Sequence, residues 1–476
     1  MKKLLVVLAV VAAIAVGAYY FLSAKSDVCK NVIPEDAKAV MTFDGMELVK
    51  QLDFSFSDIF ELLKLSSKED KEDVGIDILS PMYGFVSSDN YVCGVFALKD
   101  AEVFEKAITD KNLTVESQRG FKWVYANDIL ACFDSKKALV MGPVSKAESD
   151  GRRSKMVEWM KQGSHEVPML SSIQDKKGIL RVRTNLGAFP DKYKSQYKLL
   201  YKDVDLNKVF FNITFNLREK AFVLTYNVDS EDEGYTKFMS EWSAYTRPIQ
   251  TSLLQTPYER PLCLFVLNTD GEALLKKMGE NPLYSMMLPQ LSTFCNVDLM
   301  LQAIDGNVIV AVDNISDHTV DFLVTAQVKN KDFMAKAGEW GNNLAQFGMN
   351  CQQIEGDNYM INANDINFCL GVRNDMLYFA SDYDVAKSGG KFTALENGTS
   401  LSSLTDGKLT YFSFDIEKLQ QILSTSSASF ARDESARKVM EYLDRLNVSV
   451  GENKNAEIEL TTKQKISDII KMSIEK

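Results

Sequence analysis

The sequence predicts an α+β protein of two tandem homologous units. Each is a large, mostly antiparallel sheet packed with helices, and an N-terminal hydrophobic helix precedes them. Three observations predict this. An uncharged run follows Met1-Lys2-Lys3, short stretches recur in the same order in the two halves, and period-two strand patterns alternate with short helical ones.

Residues 4–22, "LLVVLAVVAAIAVGAYYFL", carry no charge. A bilayer requires about 20 apolar residues, so this run either spans a membrane or serves as a long export signal. The lysines before it place the N-terminus in the cytoplasm and the body outside, and Tyr19, Tyr20 and Phe21 suit an interfacial belt. Residues 1–28 are therefore expected to be a signal anchor or signal peptide. The body then divides into a first unit, 29–250, and a second, 251–476. Cys29 lacks the small preceding residue of a lipidation site, because Val28 stands there.

The duplication rests on paired stretches. "FDGMELVKQL" (43–52) matches "TDGEALLKKM" (269–278), "GIDIL" (75–79) matches "NVDLM" (296–300), and "LSSIQD" (170–175) matches "LSSLTD" (401–406). "ANDI" recurs at 126 and 363, with Cys132 and Cys369 three residues beyond its Ile. The common order implies a repeated unit of roughly 220–230 residues, an ordinary domain size.

Within the first unit, the strand 38–43 leads through Asp44-Gly45 into a helix. A second helix is expected around 56–66 from Ile59, Leu62, Leu63 and Leu65. Strands at 83–88 and 91–98 flank the turn pair Asp89-Asn90. A short helix with Phe104 and Ile108 follows, then strands at 121–126, 129–134 and 137–142, the helix "SKMVEWMKQ" and the strand 178–184. Phe211, Ile213, Phe215 and Leu217 alternate with Asn212, Thr214 and Asn216, the period of a half-buried strand, and the chain returns through Phe222, Leu224 and Tyr226. The second unit closes with a hairpin around Gly451 and a helical stripe of Ile466, Ile469, Ile470 and Ile474.

A net charge of −11 argues against nucleic acid, which needs clustered Lys and Arg. Seven cysteines without a CxxC pair write neither a zinc ribbon nor a redox site, and most sit in apolar strands as small hydrophobes. The two histidines, His165 and His318, lie in non-equivalent places, which weakens hydrolase and metal readings. Ser88-Asp89-Asn90 lacks the Ser-x-x-Lys that would precede it in a penicillin-recognising enzyme, whereas Ser195-x-x-Lys198 stands on the wrong side. "DVAKSGGKFT" (384–393) has neither the first Gly nor the final Ser or Thr of a phosphate loop. "DSEDEG" (229–234) has Ser240 where a calcium loop needs Glu, so it reads as a solvated acidic turn before a helix. Asp128 and Asp365 would form an acid–base dyad only if the units brought them together; turn hydrogen bonding explains each alone.

One stretch suggests a surface. Tyr193, Tyr197 and Tyr201 recur every four residues among Lys192, Lys194, Lys198 and Lys202. On a helix, Tyr193, Tyr197, Tyr201, Lys194 and Lys198 form an aromatic stripe edged with cations, suited to an anionic lipid, a glycan or a partner. The competing reading packs the tyrosines on the sheet with the lysines reaching outward, and it takes precedence because such stripes are usually core.

"VIPEDAKAVMTFDGMELVKQL" (32–52), following an export segment, resembles an uncharacterised, domain-of-unknown-function family of Bacteroidales cell-envelope proteins, often lipoprotein-like. Their mature chains open with Ile-Pro-x-Asp-Ala, a strand and a Phe-Asp helix start. The resemblance implies an envelope location and no established activity, catalytic residue or cofactor. The expected function is non-catalytic binding of a ligand or an envelope protein at the periplasmic membrane face, with residues 4–22 in the membrane. Two alternatives are a carrier of lipid or another hydrophobic ligand, and a carboxylate-dependent enzyme acting on envelope glycans.

Overall fold

The computed structural model describes residues 29–52, 74–77, 80–174, 176–189, 204–254, 258, 260–280, 286, 289, 292, 296–316, 319–363, 366–382, 401–425, 438–452 and 454–474. The chain divides into two compact units, Met1–Thr236 with Thr462–Lys476, and Lys237–Thr461.

In the first unit the strands are β1 (Ala39–Phe43), β2 (Ile76–Asp77), β3 (Met82–Val86), β4 (Val92–Leu98), β5 (Glu116–Gln118), β6 (Phe121–Ala126), β7 (Ile129–Phe133), β8 (Lys137–Gly142), β9 (Leu180–Asn185), β10 (Val209–Arg218) and β11 (Ala221–Ser230). The helices are α1 (Gly45–Leu52), α2 (Ala101–Thr109), α3 (Ser149–Lys161), α4 (Pro168–Gln174), α5 (Glu233–Tyr245, which continues into the second unit) and, from the C-terminal segment, α11 (Ile466–Ile474). The ladder runs β5–β6–β7–β8–β4–β3–β1–β9–β10–β11, antiparallel throughout. One face of β1, β3, β4, β8 and β7 carries Val40, Phe85, Cys93, Met141 and Leu130, all buried under Met156 and Trp159 of α3 and under Val32 and Ile33. The Phe85 and Trp159 rings meet edge to face at 5.4 Å.

In the second unit the strands are β12 (Thr246–Arg247), β13 (Cys263–Asp270), β14 (Ile304–Ile315), β15 (Val320–Val328), β16 (Met349–Glu355), β17 (Asn358–Ala363), β18 (Ile366–Arg373), β19 (Met376–Ala380), β20 (Lys408–Asp415), β21 (Leu443–Gly451) and β22 (Ala456–Thr462). Its helices are α6 (Gly271–Gly279), α7 (Val297–Ala303), α8 (Ala337–Ala345), α9 (Leu401–Thr405) and α10 (Ile416–Thr425). The ladder runs β16–β17–β18–β19–β15–β14–β13–β20–β21, again antiparallel. Phe333, Trp340 and Leu344 bury against Ile361, Leu370 and Val372.

Two sequence expectations are corrected here. The described strands belong to one large antiparallel sheet of 22 strands, not to two homologous sheets in tandem, and no duplication is shown. The matched stretches have a local cause. Asp44 accepts the backbone N–H of Glu47 at 3.0 Å, and Asp270 that of Ala273 at 3.1 Å, each capping the helix that follows its strand. Asp415 does the same for Lys418 at 2.7 Å, at a place with no counterpart among the matched stretches. Asn127-Asp128 adopts left-handed conformation (φ 49° and 60°) between β6 and β7, and so does Asn374-Asp375 (φ 50° and 58°) between β18 and β19. The latter is not the Asn-Asp pair matched in the sequence; Asn364-Asp365 lies outside the described residues. Strand–Asp–helix junctions and Asn-Asp hairpins solve recurring backbone problems, so their repetition does not require a repeated domain.

The second correction concerns the membrane-spanning helix. Among the described residues no helix is long and apolar enough to cross a membrane. Residues 4–22 lie outside the described residues, as does the helix expected around 56–66.

Candidate functional site

The hairpin β10–β11 has the register that its alternation predicts, with Ile213 opposite Tyr226 and Phe215 opposite Leu224. Its burial runs against that pattern. Phe211, Ile213 and Phe215 are only half-buried, whereas Asn212 on the opposite face is 4% exposed. Asn212 is sheltered because it is fully partnered. Its carbonyl accepts from Arg183 at 2.6 Å and its amide donates to Asp229 at 3.2 Å, while Arg183 also reaches Asp229 at 2.8 Å and lies over the Phe210 ring.

The half-open apolar face continues across the unit. Tyr226, Ile213, Val182, Met41, Gly84, Gly94, Val140 and Ala131 are successive partners from β11 to β7, so their side positions share one face. The adjoining row holds Ala39, Val86, Val92, Gly142 and Ile129. Met41 is 40% exposed, Val92 61% and Ile129 47%. Single exposed hydrophobics are ordinary, but these three stand on one sheet face at every second strand, with Val86 of β3 and Gly142 of β8 in the row between them.

Its floor is set by glycine. Met41 lies across Gly84, its Cε 2.8 Å from where a Cβ on Gly84 would stand, so a side chain there would displace it. A Cβ on Gly94, the cross-strand partner of Gly84, would meet nothing within 4 Å. On one side the patch ends under α2, where Phe104 packs edge to face against Phe133 at 5.1 Å and Phe96 at 5.9 Å. At the other, Phe43 and Phe215 pass beneath Leu48 and Leu52 of α1 and Ile466 and Ile470 of α11.

The residues singled out from the sequence fare differently. Tyr193, Tyr197, Tyr201, Lys194 and Lys198 lie outside the described residues, as do His318, Asp365 and the loop 384–393. His165 is used structurally: Nε2 is 2.8 Å from the Ile33 carbonyl and Nδ1 3.0 Å from that of Gly163. Asp128 accepts from the Tyr125 hydroxyl at 3.2 Å, and its carbonyl from the Val144 N–H at 2.7 Å, holding the hairpin turn. Asp89 joins Arg152 and, at 3.3 Å, Lys155. Asp232 of the acidic turn caps α5 through the Tyr235 N–H at 2.9 Å, and that hydrogen bond holds its carboxyl below the usual range.

Cys29 is 1% exposed and packs in the first unit's core with Val32 and Ile33. Burial pushes the Cys93 thiol up to about 12 and raises Cys132 as well, so both are held as neutral thiols rather than nucleophiles. Among the described residues no group of three His, Cys, Asp or Glu is placed to hold a metal ion. Sequence reasoning missed the open face. The signal was present in β1 and β4, whose successive residues are apolar on both sides: Val40 with Met41, and Val92 with Cys93.

A family model described as "Domain of unknown function (DUF4836)" matches residues 57–467. No curated protein matches the chain. Among solved structures, crystal forms IV, I and III of TP0453 are similar at 9%, 14% and 9% identity. They cover 43%, 45% and 46% of this chain and 81%, 84% and 88% of their own, each with a TM-score of 0.28.

Proposed function

The chain belongs to the DUF4836 family, and from that premise we propose that it is an exported protein of the cell envelope that binds, without catalysis, a ligand or protein partner through an apolar surface. The observation that carries this reading is the open sheet face around Met41, Val92 and Ile129. An apolar face left uncovered on strands whose other face is packed under α3 has a cost in water that a bound partner removes. The uncharged run 4–22 after two lysines supports export. The structural use of His165 and the sequestered thiols of Cys93 and Cys132 support a binding role over a catalytic one.

The test is binding of 1-anilinonaphthalene-8-sulfonate to the purified chain, followed by fluorescence. The double variant Val92→Lys, Ile129→Lys should bind about tenfold more weakly while unfolding at the native temperature, because exposed substitutions rarely change stability by more than about 0.5 kcal/mol. Unchanged binding by a folded double variant overturns the reading.

A second reading, a carrier of lipid or another hydrophobic ligand, is favoured by the open space over Gly94 beside Met41. Solvent extraction of the purified protein and mass spectrometry separates the two: a stoichiometric hydrophobic molecule supports the carrier, and an empty extract removes it.

A further inference from the structure

The second unit's ladder ends on a strand whose outer edge is open. β16 pairs with β17 from Met349 opposite Ala363 to Glu355 opposite Asn358, and among the described residues no other strand pairs with it. Alternate N–H and C=O groups of β16 therefore point away from the sheet. The first unit's ladder ends differently. β5 is only three residues long, and Arg153 of α3 holds the side chains of Glu116 at 2.9 Å and Gln118 at 2.8 Å. Short length and engaged charged side chains are ordinary ways to blunt an edge.

β16 has neither protection. It runs for seven residues without Lys, Arg or Pro, and its one charge, Glu355, stands at its end. Asn350 and Gln352 are exposed, and their side-chain amides hold no partner among the described residues. The opposite side positions are fixed, because Met349 and Cys351 pack with Trp340 and Leu344 of α8. The edge is thus presented on a firm support. Its one irregularity is a register shift between Gln353 and Glu355, which confines the regular stretch to Met349–Gln353. Just outside that stretch stand Phe347 and Ile354, 55% and 41% exposed.

We propose that β16 pairs with β16 of a second copy of this chain, antiparallel about a two-fold axis at Cys351. An open strand edge recognises extended backbone, and here the regular stretch is its own complement. Cys351 is its middle residue, so Cys351 lies opposite Cys351, Asn350 opposite Gln352 and Met349 opposite Gln353. Asn and Gln amides both donate and accept, so the two symmetric Asn350–Gln352 pairs satisfy one another. Glu355 falls beyond the regular stretch, and the register opposes no like charges. The same register sets Ile354 of one copy opposite Gly348 of the other, next to Phe347, which takes both exposed apolar side chains out of water at each end. This pairing is independent of the apolar face of the first unit.

Sedimentation equilibrium of the full chain in a density-matched detergent, over about 1–100 µM, tests it. The native chain should dimerise within that range. Asn350→Lys with Gln352→Lys sets like charges opposite each other at both symmetric pairs and should weaken the dimer about tenfold. Asn350→Lys with Gln352→Glu sets opposite charges there and should keep the dimer within about threefold of native. Both positions are exposed, so each double variant should unfold at the native temperature. Asn350→Glu with Gln352→Glu repeats the clash with the other sign and keeps the test open if the lysine pair fails to fold. A native chain that stays monomeric to about 100 µM overturns the pairing. So does a dimer that the clashing variants leave intact, which places the contact elsewhere. Equal loss in the clashing and complementary variants also overturns it, because the register then fails.

Discussion

Replacing Asp415 tests how far one buried carboxylate holds the second unit together. Its side chain is fully buried at the end of β20, where it receives Arg260 through two nitrogens, Arg445 at 3.3 Å and the capping N–H of Lys418 at 2.7 Å. Removing one partner of a buried pair costs about 3–5 kcal/mol, since the remaining charge is stranded. Here the stranded charges are Arg260 and Arg445, 23% and 12% exposed, and Arg260 retains Asp444 at 2.7 Å and Glu417 at 3.1 Å. That places the electrostatic loss at the lower end, about 3 kcal/mol, and the lost helix cap adds about 1 kcal/mol. Asp415→Ala should therefore destabilise by about 4 kcal/mol. Asp415→Asn keeps a capping oxygen and should cost about 3 kcal/mol. Urea unfolding of the full chain by circular dichroism measures the loss, and hydrogen exchange on α10 locates it. An Asp415→Asn variant within about 0.5 kcal/mol of the native protein would refute the reasoning, by showing that desolvation of the carboxylate cancels its pairing.

Two further outcomes follow from the first unit. The Cys93 thiol, with its pKa pushed up to about 12, stays protonated when folded, whereas an unfolded cysteine ionises near about 8.5. The unfolded state then binds fewer protons, so this group's contribution to stability is intact below about pH 8.5 and falls as pH rises towards about 12. Iodoacetamide at pH 8 should accordingly leave Cys93 unlabelled until urea unfolds the unit; rapid labelling of the folded chain contradicts this. Asn127→Ala places a Cβ-bearing residue without a compensating amide at φ 49° and should cost about 1 kcal/mol by thermal unfolding, with dye binding unchanged. A loss of binding at native stability would instead make the turn part of the site.

Much of the local structure was legible in residue order. The alternation from Phe211 to Leu217 set the register of β10 against β11, Asp44 and Asp270 announced helix starts, and Asn127-Asp128 announced a two-residue turn. These are short-range matters of backbone sterics and capping, which a few neighbouring residues decide. The same legibility misled at longer range: like solutions at 44 and 270 looked like copies of a domain, until a third cap at Asp415 and a second Asn-Asp turn at 374 revealed local chemistry.

The candidate site was decided by tertiary structure. Val40 and Met41 are both apolar, and alternation cannot say which of them a helix will cover; α3 packed over Val40 and its neighbours, leaving Met41 open. Asn212 is buried in place of its aromatic neighbours because Arg183 and Asp229 arrive from two other strands to satisfy it. Ile466 and Ile470 read as a helical stripe in the sequence, but only the fold brings Leu48, Leu52 and Leu217 beneath them. The sequence by itself determined where strands, turns and caps form, since those energies are paid between neighbours along the chain. Which apolar face becomes core and which stays open depends on surfaces brought together from distant segments, and only the tertiary structure could decide that.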